Sequence, residues 1–241
     1  MMILQRTLLL ALLLGVHTTW AESQPSVTVV ELFTSQGCYS CPPADEYLGE
    51  LAQRDDVIAL ACHVTYWNYI GWKDTFSSAF CDNRQKHYQP ALVDGYRGVY
   101  TPQMVVNGRY AGVGSRTRLI DRIIDYDRAQ QSPVVPLALQ REGNTLLINL
   151  PEASLSTARH IFLLGTTGTH LLPISRGENA GKRLPYVNPI EHQQSLGTWK
   201  GKAQQRSVNL PADKSIREWV VIVQEDPIGS IIAAGKLRVD G

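Results

Sequence analysis

Val27–Thr34, VTVVELFT, is apolar and β-branched almost without a break, the pattern of a strand buried on both faces. Behind it, Pro42 and Pro43 precede an acidic pair, Asp45 and Glu46, and then Tyr47, Leu48 and Leu51. Proline fits the first turn of a helix, and acidic residues there suit the helix dipole, so a helix is predicted from about Cys41 to Arg54. Val57–Thr65, VIALACHVT, reads as a second buried strand, and a crossover helix between the two implies that they are parallel. Tyr66–Thr75 is an aromatic loop, and Ser77–Gln89 a helix stopped by Pro90. Gln103–Val106 is a short strand, Asn107-Gly108 a hairpin turn, and Arg109–Val113 the returning strand. Ser115 is placed to cap a further helix whose apolar side holds Leu119, Ile120, Ile123 and Ile124.

After Gln130–Pro136, QQSPVVP, which reads as a linker from residue 131, the pattern changes to short strands. They are Leu137–Arg141, Thr145–Leu150, His160–Gly165, Ser207–Leu210, Glu218–Gln224 and Ser230–Val239. The expectation is an α/β domain over residues 26–130, followed by an all-β sandwich over residues 137–241.

Composition narrows the function. Hydrophobic residues make up 44% of the 241, enough for a core, and the formal net charge is +1. No basic stripe is present, which argues against a nucleic-acid surface. Arg6, the apolar run Leu8–Val16 and the small residues Thr19 and Ala21 read as a secretory signal peptide over residues 1–21. The apolar run is shorter than the roughly 18 residues a membrane span needs, so no stable insertion is expected after cleavage. The chain is therefore expected in the periplasm or the secreted fraction. There its four cysteines, Cys38, Cys41, Cys62 and Cys81, meet oxidising conditions, and three pairings are open to them.

The candidate chemistry sits in TSQGCYSCPP, Thr34–Pro43. A CxxC between a buried strand and a helix N-terminus is the thioredoxin-like arrangement. The helix end favours a thiolate, so Cys38 is expected to attack, while Cys41, one turn further in, resolves the mixed disulfide. Thr101-Pro102 stands directly before a strand, where such folds place a cis-proline whose neighbouring backbone pairs with an extended substrate. Glu31 is a carboxylate in an apolar strand; it takes the Cys41 proton, or else it sits at a solvated edge or pairs with a base such as Lys73.

ELFTSQGCYSCPPAD, HVTYWNYIGWKD, RQKHY, VYTPQMVVNG and RGENAGK together resemble the secreted bacterial thioredoxin-like proteins grouped as domain-of-unknown-function family 1223. The chain departs from many relatives at Thr65 and Asn68, where those carry acidic residues. The resemblance implies a thioredoxin-like fold, export and thiol–disulfide chemistry, and supplies no substrate. The function expected here is electron exchange with protein or small-molecule thiols, without a cofactor. Other readings of Cys38–Cys41 stay open: an inert local disulfide, or a copper-binding clip for delivery, since soft thiolates suit Cu(I). A third has the β half act as a non-catalytic adaptor. No set of four metal ligands is apparent, so no metal residue is assigned. Cys62 and Cys81 are expected to form a structural disulfide. Tyr39, Trp67 and Trp72 are candidate substrate contacts, with Tyr66 and Tyr69 in the same aromatic cluster. Arg84 and Gln85 are expected at the surface or between domains. Arg176–Lys182 is either a long turn or a loop folded over the cysteines.

Overall fold

The computed structural model describes residues 27–90, 92, 98–130, 134–225 and 228–239. The signal-peptide reading of residues 1–21 and the first half of the linker, residues 131–133, lie outside them. Elements run in the order β1 (Thr28–Thr34), α1 (Pro42–Leu51), β2 (Val57–His63), α2 (Ala79–Tyr88), β3 (Gln103–Val106), β4 (Tyr110–Val113) and α3 (Thr117–Ala129). Strands follow: β5 (Val135–Pro136), β6 (Ala138–Glu142), β7 (Thr145–Leu150), β8 (Arg159–Thr166), β9 (Thr169–Pro173) and β10 (Arg183–Val187). The last four are β11 (Ile190–Trp199), β12 (Gln204–Asn209), β13 (Glu218–Gln224) and β14 (Ile231–Arg238).

The first four strands form one sheet in the order β2-β1-β3-β4, with β1 and β2 parallel as the crossover predicts. Alternation along β1 decides what each face meets. Val30 and Leu32 point to α1 and α3, against Ala44, Leu48, Leu51, Ile120 and Ile124. Val29 and Phe33 point the other way, against Leu164, Val220, Ile222 and Ile231 from the far end of the chain.

The expected α/β thioredoxin-like domain followed by a β-sandwich is not what the chain builds. Strands predominate: fourteen of them, in sheets of four, two, five and three strands, against three α-helices among the described residues. The physical reason lies in β13, EWVVIVQ, which is buried along its whole length. Val220 and Ile222 join the core of the first sheet, while Trp219, Val221 and Val223 join a second core with Leu146, Ile148 and Leu163. The five-stranded sheet β11-β8-β13-β14-β5 is thus a middle layer between the β1 sheet and the three-stranded sheet β12-β7-β6. Each sequence pattern reports only that a strand is apolar on both faces, not that its two faces serve different neighbours.

Other contacts knit the halves. Ala61 N–H donates to Asn188 O (3.0 Å) and Asn188 Nδ2 to Ala59 O (3.1 Å), so a later segment covers the free edge of β2. Val135 and Pro136, expected as linker, form β5 beside β14. The short 3₁₀ turn Asn68–Ile70 interrupts the aromatic loop. α3 begins after Arg116 rather than on a Ser115 cap.

The Asn107-Gly108 turn has φ of 49° and 65°, the left-handed pair a tight hairpin requires. At Gly108 a Cβ would stand 2.1 Å from the Gly229 carbonyl oxygen, whereas at Gly143, also left-handed at 58°, it would meet nothing within 4 Å. Gly143→Ala should therefore cost about 1 kcal/mol, the backbone term alone, and Gly108→Ala at least about 2 kcal/mol more. Urea midpoints of the two variants measure the difference.

Candidate functional site

Cys38 and Cys41 are joined in a disulfide at the N-terminus of α1, with Cys41 as the N-cap residue. Cys62 in β2 and Cys81 in α2 form the second disulfide, so no cysteine is free. Both members of each pair are fully buried. For Cys38 this differs from the exposed position that a reactive thiol usually holds.

Three segments converge on Cys38. From the segment ahead of β3, Thr101 Oγ1 donates to Cys38 Sγ (3.2 Å), and from the loop after β2, Trp67 Nε1 donates to that hydroxyl (2.8 Å). The Trp67 bond occupies an acceptor position on the oxygen and turns the hydroxyl hydrogen toward sulfur. The Thr101–Pro102 peptide is cis. Gln85 Nε2 donates to Tyr100 O (2.7 Å) and to Gln103 Oε1 (2.9 Å), holding this segment from α2. Ser40 Oγ lies 3.5 Å from Cys38 Sγ within the CxxC turn.

The third segment is the loop between β9 and β10, the RGENAGK stretch. It reaches the cysteine turn. Asn179, fully buried, donates from Nδ2 to Gln36 O (2.9 Å) and Cys38 O (3.0 Å). Glu178 Oε2 accepts from Tyr39 N–H (3.1 Å), and Lys182 Nζ donates to Asn179 Oδ1 (2.9 Å) while standing 4.8 Å over the Tyr39 ring. Tyr39 is 67% exposed despite these contacts and remains the outermost group at the site.

Of the proposed substrate contacts, Trp67 reaches the site through Thr101. Trp72 is held aside by Gln36, to whose Oε1 its Nε1 donates (2.8 Å). Glu31 is in a different neighbourhood. Arg84 donates to it from Nε (2.5 Å) and Nη2 (2.9 Å), and Tyr88 Oη donates as well. Arg84 also donates to Gln224 Oε1 (3.1 Å), across the halves. The partner is Arg84, not Lys73, and Arg84 is buried where the two halves meet. Among the described residues, the Glu31 side chain is bonded by Arg84 and Tyr88 and not by the cysteine turn.

Sequence reasoning missed a second buried polar group beside α1. Asp45 sits one turn after Cys41, and its N–H donates to Cys41 O (3.1 Å). Its spacing was the available signal: Cys41, Ala44, Asp45, Leu48 and Leu51 form one helical stripe, all buried. Burial pushes its carboxyl up to about 7, against the lowering influence of His63. His63 Nδ1 lies 2.7 Å from Asp74 Oδ2, and both side chains are wholly buried. Burial pulls the His63 pKa down, but the Asp74 charge and hydrogen bond outweigh it and the net shift is upward. Asp74 is shifted downward: its burial opposes this, but His63 and the N–H groups of Gln36 (2.7 Å) and Phe76 (2.9 Å) favour the carboxylate.

The family model described as "Protein of unknown function (DUF1223)" matches residues 29–224. The crystal structure of protein AGR_C_4864 from Agrobacterium tumefaciens is similar at a TM-score of 0.79 and 31% identity, covering 90% of this chain and 96% of that one. The match thus spans both halves of the chain rather than the cysteine-bearing half alone. HBP35 of Porphyromonas gingivalis is similar at a TM-score of 0.57 and 17% identity, over 90% of this chain and 76% of that one, a likeness of fold. No curated protein matches the chain. Among the described residues no helix is long and apolar enough to cross a membrane.

Proposed function

The chain belongs to the DUF1223 family, and on the geometry of its site we propose that it exchanges electrons with protein or small-molecule thiols at Cys38–Cys41, outside the cytoplasm. The observation that carries the reading is the Thr101 hydroxyl, aimed at Cys38 Sγ by Trp67. A neutral disulfide sulfur gains little from such a donor, but a thiolate gains a charge-assisted hydrogen bond. The donor therefore favours the sulfur that carries charge when the disulfide opens. Two disulfides in one chain suit an oxidising compartment.

In the reduced chain Cys38 thiolate attacks a substrate disulfide and releases one substrate thiolate. Cys41 then attacks Cys38 Sγ, the bond from Cys38 to substrate breaks, and the second substrate thiolate leaves. Two electrons pass from the cysteine pair to the substrate; the reverse sequence oxidises substrate thiols. Asn179 and Glu178 hold the turn that carries Cys38, so the loop they belong to controls access to the sulfur.

The test is a pair of serine variants, each reduced and mixed with a peptide disulfide. Cys41→Ser should accumulate a covalent adduct on Cys38, seen by mass spectrometry. Cys38→Ser should form none and lose exchange by about 10³-fold or more, since the thiolate is the nucleophile. Exchange at an undiminished rate in Cys38→Ser would refute the reading.

A further inference from the structure

We infer that Asp45 is the group that takes the Cys41 proton when Cys41 attacks and returns it when the disulfide is reopened; this rests on the exchange reading above. Cys41 is fully buried, so its proton needs a partner inside the protein. The carboxylates nearby differ sharply in availability. Glu31 is engaged by Arg84 and Tyr88. Asp82 accepts from Thr65 N–H (2.8 Å) and its hydroxyl. Asp74 accepts from His63, Gln36 and Phe76.

Asp45 is the exception. Its Oδ2 is buried and has no hydrogen-bond partner among the described residues, and the same holds for His63 Nε2, Thr34 Oγ1 and Tyr186 Oη. It lies four residues after Cys41 on a helix, the spacing that brings two side chains together on one face. The surroundings come from four strands and the loop ahead of α2. His63 on β2 and Asp74 ahead of α2 act on Asp45 by charge. Thr34 on β1 stands close enough to favour the carboxylate, though outside hydrogen-bond geometry. Tyr186 on β10, its ring 5.4 Å from that of His63, feels both aspartates, and Glu191 on β11 acts on His63. A carboxyl titrating near neutrality is populated in both forms at working pH, which is what a proton carrier requires.

The step balances simply. The Cys41 S–H proton moves to the Asp45 carboxylate, the sulfur electron pair forms the bond to Cys38 Sγ, and the substrate thiolate departs with the pair from the broken bond. In reverse, substrate thiolate attacks Cys38 Sγ, the pair returns to Cys41 Sγ, and the Asp45 carboxyl supplies the proton.

Asp45→Asn keeps the shape and cannot carry the proton. Reduced protein mixed with dithiobis-nitrobenzoate releases one coloured thiolate on attack by Cys38 and a second on resolution by Cys41, so one trace separates the two steps. In the variant the first release should be unchanged and the second slower by roughly 10²-fold, the usual scale of acid–base assistance. The wild-type second step should also inflect near pH 7, and the variant should lose that inflection. An unchanged second release and pH profile would overturn the inference. A wild type with no first release from Cys38 would instead overturn the exchange reading. Stability gives an independent check. Asp45 holds its proton in the fold up to about 7, against an ordinary 3.8. Its contribution is therefore full below 3.8 and declines as pH rises toward 7. The urea midpoint should carry that slope in wild type and lose it in Asp45→Asn. Parallel midpoints across that window would show that the cluster does not titrate, and the inference would fail.

Discussion

Arg84→Ala should destabilise the chain by about 3–5 kcal/mol, the range for removing one partner of a buried ion pair. The loss exceeds any contact energy of Arg84 because Glu31 stays behind. In the native chain Glu31 accepts two hydrogen bonds from the guanidinium and one from Tyr88, in a place closed to water. Removing Arg84 strands that charge and also removes a donor to Gln224 (3.1 Å). The double variant Glu31→Gln with Arg84→Met should recover most of the loss, since neither residue then brings a charge into the core. A double-mutant cycle in urea gives the coupling directly. Additive losses would mean that Arg84 acts through packing alone, over the Tyr88 ring at 5.0 Å.

The second large effect concerns Cys62–Cys81. These residues are 19 apart, against 3 for Cys38–Cys41. Closing the longer loop restricts the unfolded chain more, and its chain-entropy contribution is about 3 kcal/mol against about 2 for the shorter. Replacing Cys62 and Cys81 by alanine should therefore lower the urea midpoint more than replacing Cys38 and Cys41 by serine. A further cost follows from the small gap left between β2 and α2, where both sulfurs are buried. Equal midpoints for the two double variants would place the stabilisation elsewhere.

Local elements of the first half were legible because each carries its own signal. The β-branched run of β1, the prolines that open α1 and Asn107-Gly108 all act over a few residues, and each starts its element within a residue or two of the expected place; α1 stops at Leu51, three residues short of the expected Arg54. The loop at residues 176–182 was legible as one of two alternatives, and Asn179 decides in favour of the fold-over reading. What failed was information held between elements. β11, with EHQQS near its start, is exposed along most of its length, so no apolar alternation marks it, and register shifts interrupt its pairing with β8. Glu31 announced itself as anomalous, but its partner lies 53 residues away on α2. Asp45 fitted the helix dipole so well in the sequence that its place on the buried stripe went unread. The shared face of the five-stranded sheet misled the fold class, since two-sided burial looks the same whatever stands on either side.

Asn179 clasps the carbonyl of a cysteine 141 residues before it. A ribosome delivers the chain N-terminus first, so Cys38 and Cys41 emerge long before the loop that encloses them. During that interval the turn is open to whatever oxidant the surroundings hold, and its partner cysteine is only three residues off. Once the later strands arrive, Asn179 closes on the carbonyls of Gln36 and Cys38 and the turn takes its final, buried setting. The nascent and the finished chain thus hold one pair of sulfur atoms in two different surroundings, and the order of synthesis sets which comes first.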